Sequence, residues 1–124
     1  MSLFKLGDFK LHSGSYSDWL IDCGALTDED LETLAHIAAN YLLPSFDSVV
    51  GIPEGGLRFA KQLRKYKSDG VNRELIVDDV YTTGNSLRTM ADRLHDEWHD
   101  QCGLVIFARN KIRELWIKAI WNIG

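Results

Sequence analysis

The chain has little proline or cysteine, two of each in 124 residues, and no long apolar run. Its longest, Leu104–Ala108, is far shorter than the roughly 20 residues needed to span a bilayer. Met1–Lys10 mixes charges with isolated apolar residues and has no hydrophobic stretch of the secretory kind. Cys23 and Cys102 give neither metal-ligand spacing nor a disulfide framework. They read as thiols of a reducing, cytoplasmic setting, or at most as one bridge. There is no excess of positive charge: the net charge of −4 argues against a general nucleic-acid binder, which would show a basic face. Internal repeats, low-complexity tracts and Pro/Ser-rich linkers are also missing. One domain spanning 1–124 is the simplest organisation, with 45% hydrophobic and 26% charged residues, ordinary for a globular protein.

The two prolines punctuate. Thr27 is a good N-cap, with Asp28, Glu29 and Asp30 in the first turn. Leu31, Leu34, Ala35, Ala38, Tyr41 and Leu42 then recur at helical spacing until Pro44 ends the helix. Ser48–Ile52 is a β-branched strand closed by the turn Pro53-Glu54-Gly55-Gly56. Leu57–Lys67 is a basic amphipathic helix with Leu57, Ala60 and Leu63 facing inward. Leu75–Val77 is a strand, and Leu87, Met90, Ala91, Leu94 and Trp98 mark a helix. Leu104–Ala108 is a strand, closed by Arg109, and Leu115–Ile123 is a last strand or a short helix. Ahead of all this, Phe9–His12 and Ser17–Ile21 flank Ser13-Gly14-Ser15 as a small hairpin. The alternation predicts an α/β fold: a three-layer open parallel sheet with helices on both faces, preceded by that hairpin. The core is expected over about 27–124 and the amino-terminal element over about 5–24.

In such a sheet, ligands bind outside the carboxyl ends of the strands. Three polar strand ends would gather at that rim: Pro53–Gly56, Asp78–Ser86 and Arg109–Arg113. The richest is Glu74-Leu75-Ile76-Val77-Asp78-Asp79-Val80-Tyr81-Thr82-Thr83-Gly84-Asn85-Ser86, in which an apolar strand meets two carboxylates, a hydroxyl-rich turn and a helix start. The turn can aim backbone N–H groups and the Thr82, Thr83 and Ser86 hydroxyls at one anionic group. Carboxylates repel phosphate, so Asp78 and Asp79 suit a sugar diol or a hydrated Mg²⁺. A phosphate cup beside a diol acceptor suits a ribose 5-phosphate. The duller alternative is that the acids merely end a strand and Gly84 merely turns the chain.

The turn Gly51–Gly56 places glycine backbone where a second anion could approach. It is neither a Walker A loop nor a dinucleotide fingerprint, since the spacing fits neither. Arg58 starts close enough to it to reach an anion. The order His95-Asp96-Glu97-Trp98-His99 lacks the acid placement of a zinc protease and reads as a solvated face on a helix. His36 reads as structural, and Trp98, Trp116 and Trp121 read as core.

The thirteen-residue pattern resembles the phosphoribosyl pyrophosphate signature of the type I phosphoribosyltransferases. The segment Phe9-Lys10-Leu11-His12-Ser13-Gly14-Ser15-Tyr16-Ser17-Asp18-Trp19-Leu20-Ile21-Asp22 is similar to the hood element of their orotate-specific branch. Hypoxanthine–guanine relatives carry an acid at the position of Thr82, so Thr82 also fits the orotate-like branch. The resemblance implies that Tyr81, Thr82, Thr83, Gly84, Asn85 and Ser86 wrap the 5-phosphate, and that Asp78 and Asp79 meet the ribose hydroxyls. It implies a pyrophosphate loop of Pro53, Glu54, Gly55 and Gly56 with Arg58, and base contacts from His12, Ser13 and Arg109. A guanidinium at Arg109 suits a carboxylate bidentately, although a surface strand-end arginine is the alternative. The implied activity is transfer of ribose 5-phosphate from phosphoribosyl pyrophosphate to a nitrogenous base such as orotate, releasing pyrophosphate, in pyrimidine biosynthesis. Mg²⁺ would come with the diphosphate near Asp78 and Asp79, without direct protein ligands. No nucleic-acid or membrane partner is implied, and a homodimer is left open.

The chain departs from that pattern in one respect. Residues 57–77 supply 21 positions where orotate phosphoribosyltransferases place a helix, another strand and a long mobile loop. Lys67–Arg73 is at best a stub of such a lid, and His12 replaces the lysine common in the hood. A binding or regulatory module that keeps the ribose-phosphate pocket without catalysing transfer is the alternative function.

Overall fold

The computed structural model describes residues 4–10 and 16–123. A two-stranded antiparallel hairpin opens the chain, β1 (Phe4–Lys10) against β2 (Tyr16–Ile21). Its first strand starts earlier than the sequence suggests, and His12 and Ser13 lie outside the described residues. A short 3-10 turn at Cys23–Ala25 leads into α1 (Asp28–Ile37). Thr27 caps α1 reciprocally: its Oγ1 accepts from the Asp30 N–H at 3.1 Å, and the Asp30 carboxylate accepts from the Thr27 N–H at 2.9 Å. Two of the amides that a helix start leaves unpaired are thereby satisfied, and three acids sit at the positive end of the dipole.

The main sheet has four strands in the order β3 (Ser48–Gly51), β4 (Arg73–Tyr81), β5 (Asp100–Ala108) and β6 (Ile117–Asn122), all parallel. The ambiguous carboxyl-terminal segment is thus a strand. Alternate residues serve the two faces. Leu75, Val77, Leu104 and Ile106 join Leu31, Leu34 and Ala35 of α1 and Phe59, Ala60 and Leu63 of α2 (Leu57–Leu63). Ile76 and Val105 face the other way, toward Leu87 and Ala91 of α3 (Asn85–Leu94). Coverage on both sides is why the strand centres read as continuous apolar runs rather than as alternating patterns. No helix is long and apolar enough to cross a membrane among the described residues, and Cys23 and Cys102 are both free thiols.

Four sequence expectations are corrected. Leu57 is 47% exposed, and Phe59 is wholly buried in its place. With only seven residues in α2, the larger apolar ring sets the helix phase. Tyr41 is 78% exposed because the chain changes to π-type winding over Ala38–Leu42, which rotates later side chains off the α-helical face. Trp98 is 77% exposed and lies beyond α3, as do His95 and His99. The Asp96 carboxylate accepts from the Trp98 N–H at 2.8 Å, a local turn that competes with helix continuation. Trp121 is half exposed, although its ring stacks on Phe107.

Between β5 and β6 the crossover is an extended strap, residues 109–116, instead of a helix. Ile112 and Trp116 of the strap pack on the α3 side of the sheet. The α2 phase is open to test. Phe59→Ala should lower unfolding stability by about 3–5 kcal/mol, whereas Leu57→Ala should change it by no more than about 0.5 kcal/mol, both read from urea denaturation curves.

Candidate functional site

Three loops meet at the carboxyl edge of the sheet, as the strand order requires. β4 stays hydrogen-bonded in register with β5 through Asp78↔Val105 and on to Tyr81↔Ala108. The acidic pair therefore belongs to a rigid strand, two residues earlier than the turn proper. The Asp78 carboxylate accepts from the Asp79 N–H, and the Asp79 carboxylate accepts from the Val80 N–H, each at 2.8 Å. Each side chain thus bends along the strand toward its carboxyl end.

Burial pushes the Asp78 carboxyl well above the usual carboxylate range, to about 8, and its contact with the Asp79 carboxyl adds to the rise. Ionising Asp78 in this poorly solvated position, beside a second carboxyl, is therefore costly, and it holds its proton near neutral pH. The Cys23 thiol lies close by. Burial, with the charges of Asp79, Asp22 and Asp78, pushes it up to about 12, so it stays protonated and unreactive.

The turn after β3 packs against this pair. A Cβ on Gly55 would lie 2.1 Å from an Asp79 carboxylate oxygen, and one on Gly56 would lie 2.4 Å from the Val77 carbonyl oxygen. Only glycine lets the backbone come so near the acids. Pro53, Glu54 and Gly55 are exposed and Gly56 is buried; the Pro53–Glu54 peptide bond is cis. Arg58 does not face this turn. Its guanidinium donates to the Leu26 carbonyl and to Asp28, each at 2.9 Å, tying α2 to the start of α1.

Beyond Tyr81 a small cavity of about 60 Å³ is lined by Asp78, Val80, Tyr81, Thr82, Thr83, Gly84, Asn85, Ser86 and Leu87. Gly84 adopts φ +82° at the N-cap of α3 and supplies no capping side chain. The first-turn amides of Ser86 and Leu87 are left for an occupant of the cavity, and the helix dipole favours an anionic one. Tyr81 plays a different part from the one expected. Its ring is buried and its hydroxyl donates to Glu114 at 2.7 Å, so it forms the floor of the turn and leaves no hydroxyl for a ligand. Asn85 is likewise committed: its side-chain oxygen accepts from Arg88, and its backbone N–H donates to the Thr83 hydroxyl at 3.3 Å.

Arg109 follows β5 directly, and its N–H donates to the Tyr81 carbonyl at 2.8 Å. It is the one buried charged side chain among the described residues, and so not a surface strand-end arginine. His95 and His99 lie on the α3 side near Trp116, bordering a separate groove. No three His, Cys, Asp or Glu side chains converge on a metal-sized point among the described residues.

Three residues of the site lie outside the motif that the sequence singled out. Arg88 Nη1 donates to the Thr83 carbonyl at 2.9 Å and to Glu114 at 2.5 Å, and Asn110 donates to the Thr82 carbonyl at 2.7 Å. Glu114 and Asn110 belong to the strap, well over twenty positions from the turn. Only Arg88, one helical turn after Gly84, was within reach of local reasoning. Burial works to raise the Glu114 pKa, but the Tyr81 hydroxyl and Arg88 outweigh it and hold the carboxylate below its ordinary range.

No protein-family model matches the chain, and no curated protein does. Solved structures do. The orotate phosphoribosyltransferase of Aeropyrum pernix superposes with a TM-score of 0.76 at 22% identity, covering 98% of this chain and 88% of that one. That of Mycobacterium tuberculosis H37Rv, solved in complex with inorganic phosphate, gives 0.67 at 17% identity over 95% and 87%. Leishmania donovani UMP synthase gives 0.72 at 18% identity, covering 98% of this chain and 33% of that one. The chain has the fold of an orotate-type phosphoribosyltransferase.

The raised Asp78 pKa carries a stability consequence. Its folded value exceeds the unfolded one, so its contribution is fully present below about pH 4 and is lost as pH rises toward 8. Asp78→Asn should remove that loss. Its melting temperature should exceed that of the unmodified protein by a few degrees at pH 8, and the gap should shrink on titration toward pH 5.

Proposed function

We propose that this chain binds phosphoribosyl pyrophosphate and transfers its ribose 5-phosphate to a nitrogenous base, orotate being the first candidate, in pyrimidine biosynthesis. The observation that carries the reading is the juxtaposition on one rigid strand end. An anion-sized cavity at an uncapped helix start adjoins a hydrogen-bonded acid pair, and the glycine turn presses against the far side of that pair. The fold shared with orotate phosphoribosyltransferases supports the same reading.

In this scheme the Ser86 and Leu87 amides and the hydroxyls of Thr82 and Ser86 hold the 5-phosphate, and Asp78 and Asp79 accept from the ribose diol. The glycine turn, open on its outer side, receives the diphosphate. Arg109 is the candidate partner for a carboxylate on the base. As the bond to the leaving group breaks, the anomeric carbon gains positive charge, and the acid pair is placed to favour it by electrostatics prepared in advance. Most of the remaining contribution is positional. Mg²⁺ fits this donor set as a companion of the diphosphate: Asp78 and Asp79 offer hard oxygens but no complete cage. Bound there, it would supply charge neutralisation on the leaving group.

A second reading is favoured by one feature. From Gly56 to β4 the chain offers only α2, a 3-10 turn at Arg64–Tyr66 and six connecting residues, with nothing long enough to close over the site. A pocket left open to water would bind the same ligand and turn it over slowly, or not at all.

Phosphoribosyl pyrophosphate with Mg²⁺, at a hundred times its dissociation constant, should stabilise the protein by about 2.7 kcal/mol. Differential scanning fluorimetry would read this as a rise of several degrees, and Asp79→Asn should abolish most of it. No shift in the unmodified protein would sink both readings. Loss of orotate absorbance under the same conditions separates enzyme from binder.

A further inference from the structure

We infer that Asn110 and Arg88 are positioning residues of the phosphate cup: by gripping the backs of two consecutive peptide groups, they turn the Thr83 and Gly84 N–H groups toward the ligand. The inference rests on the reading above and adds to it the residues that build the cup from outside the motif.

The geometry follows from the planarity of the peptide group. In a trans peptide the carbonyl and the following N–H point in opposite directions. The Thr82 carbonyl is held by Asn110 at 2.7 Å, so the Thr83 N–H of the same peptide points away from the strap. The Thr83 carbonyl is held by Arg88 at 2.9 Å, so the Gly84 N–H points away from Arg88. Both amides belong to residues that line the cavity. Without these two grips, a glycine-containing turn can rotate its peptide planes at little cost, and the ligand would have to order them on binding.

Arg88 is itself fixed from three sides. It donates to Thr83, to the Asn85 side chain and to Glu114, and Glu114 is anchored in turn by the Tyr81 hydroxyl. The Gly84 backbone rests directly on this group: a Cβ there would meet Glu114 at 2.6 Å, and Arg88 and the Tyr81 ring each at 2.8 Å. The strap that replaces a crossover helix between β5 and β6 therefore reaches the cup at two points, Asn110 and Glu114.

The two grips act on different amides, which makes the idea separable by experiment. In ¹⁵N-labelled full-length protein, ribose 5-phosphate should move the Thr83 and Gly84 amide resonances downfield. Asn110→Ala should suppress the Thr83 response and spare Gly84. Arg88→Lys keeps the charge but loses the planar fork that spreads donors over three separated acceptors, and should suppress the Gly84 response and spare Thr83. Each should weaken ribose 5-phosphate about tenfold by titration calorimetry. Asn110 is exposed, so that variant is expected to melt within a few degrees of the unmodified protein. Both responses intact in both variants, or both lost together in each, would overturn the inference. So would unmodified protein that binds ribose 5-phosphate while the Thr83 and Gly84 resonances stay still. Failure of the unmodified protein to bind either ribose 5-phosphate or phosphoribosyl pyrophosphate would remove the functional reading, and this inference with it.

Discussion

The hydrogen bond from the Tyr81 hydroxyl to Glu114 is the join on which the site depends. Tyr81 ends β4, so it fixes where the strand stops and the turn begins. Its ring supports Gly84, and its hydroxyl neutralises part of the cost of placing Glu114 in a mostly buried position. Glu114 can then hold Arg88, and Arg88 can hold the turn. A parallel sheet delivers its strand ends to one edge without specifying how the loops there are shaped. Here that shaping is done by a single side-chain network running from the end of one strand to the strap that leaves the next.

The acid pair illustrates the opposite balance. Asp78 and Asp79 are held in the strand by backbone hydrogen bonds, yet burial and the neighbouring Asp79 carboxyl work against ionisation of Asp78. Gly55 and Gly56 bring a backbone against the pair where any side chain would be excluded. Such an arrangement lowers the stability of the empty protein near neutral pH and leaves two carboxylates whose charge a cationic partner or a polarised sugar can satisfy. A site that is electrostatically unfavourable when empty gains that much more from the right occupant.

Much of this was legible in the residues. The strand cores were visible as short apolar runs between glycine and proline signals. The α1 start was visible in Thr27 and the acids after it, and the rim in the Asp78–Ser86 pattern. What escaped was decided by competition or by distance. The facing of α2 turned on whether Leu57 or Phe59 carried more apolar surface inward, a contest the even spacing of Leu57, Ala60 and Leu63 conceals. The end of α3 was set by one Asp96 carboxylate capturing the Trp98 amide, and the phase beyond Ala38 by a single π-type turn. Tyr81 sat inside the motif and read as a ligand-facing hydroxyl, because its partner Glu114 lies 33 positions away. Long-range pairs of that kind emerge only once the strap is seen to cross the α3 face.

The strap and the short β3–β4 crossover point in opposite directions functionally. A lid contributes by excluding water and adding charge as it closes, and it must be mobile to do so. Residues 57–77 have little length to spare for this: they cross back over the sheet as α2 and a 3-10 turn, then pair as β4 from Arg73. The cup, by contrast, is fixed before any ligand arrives, its carbonyls tied down from the strap and from α3. Preorganisation of this sort favours ground-state affinity for a phosphate, whereas the loss of a closing element weakens the electrostatic advantage of a dry site. On the proposed reading, the part of the site that meets ribose 5-phosphate is the part held by these side-chain grips, and a closing motion would come from elements other than the β3–β4 connection.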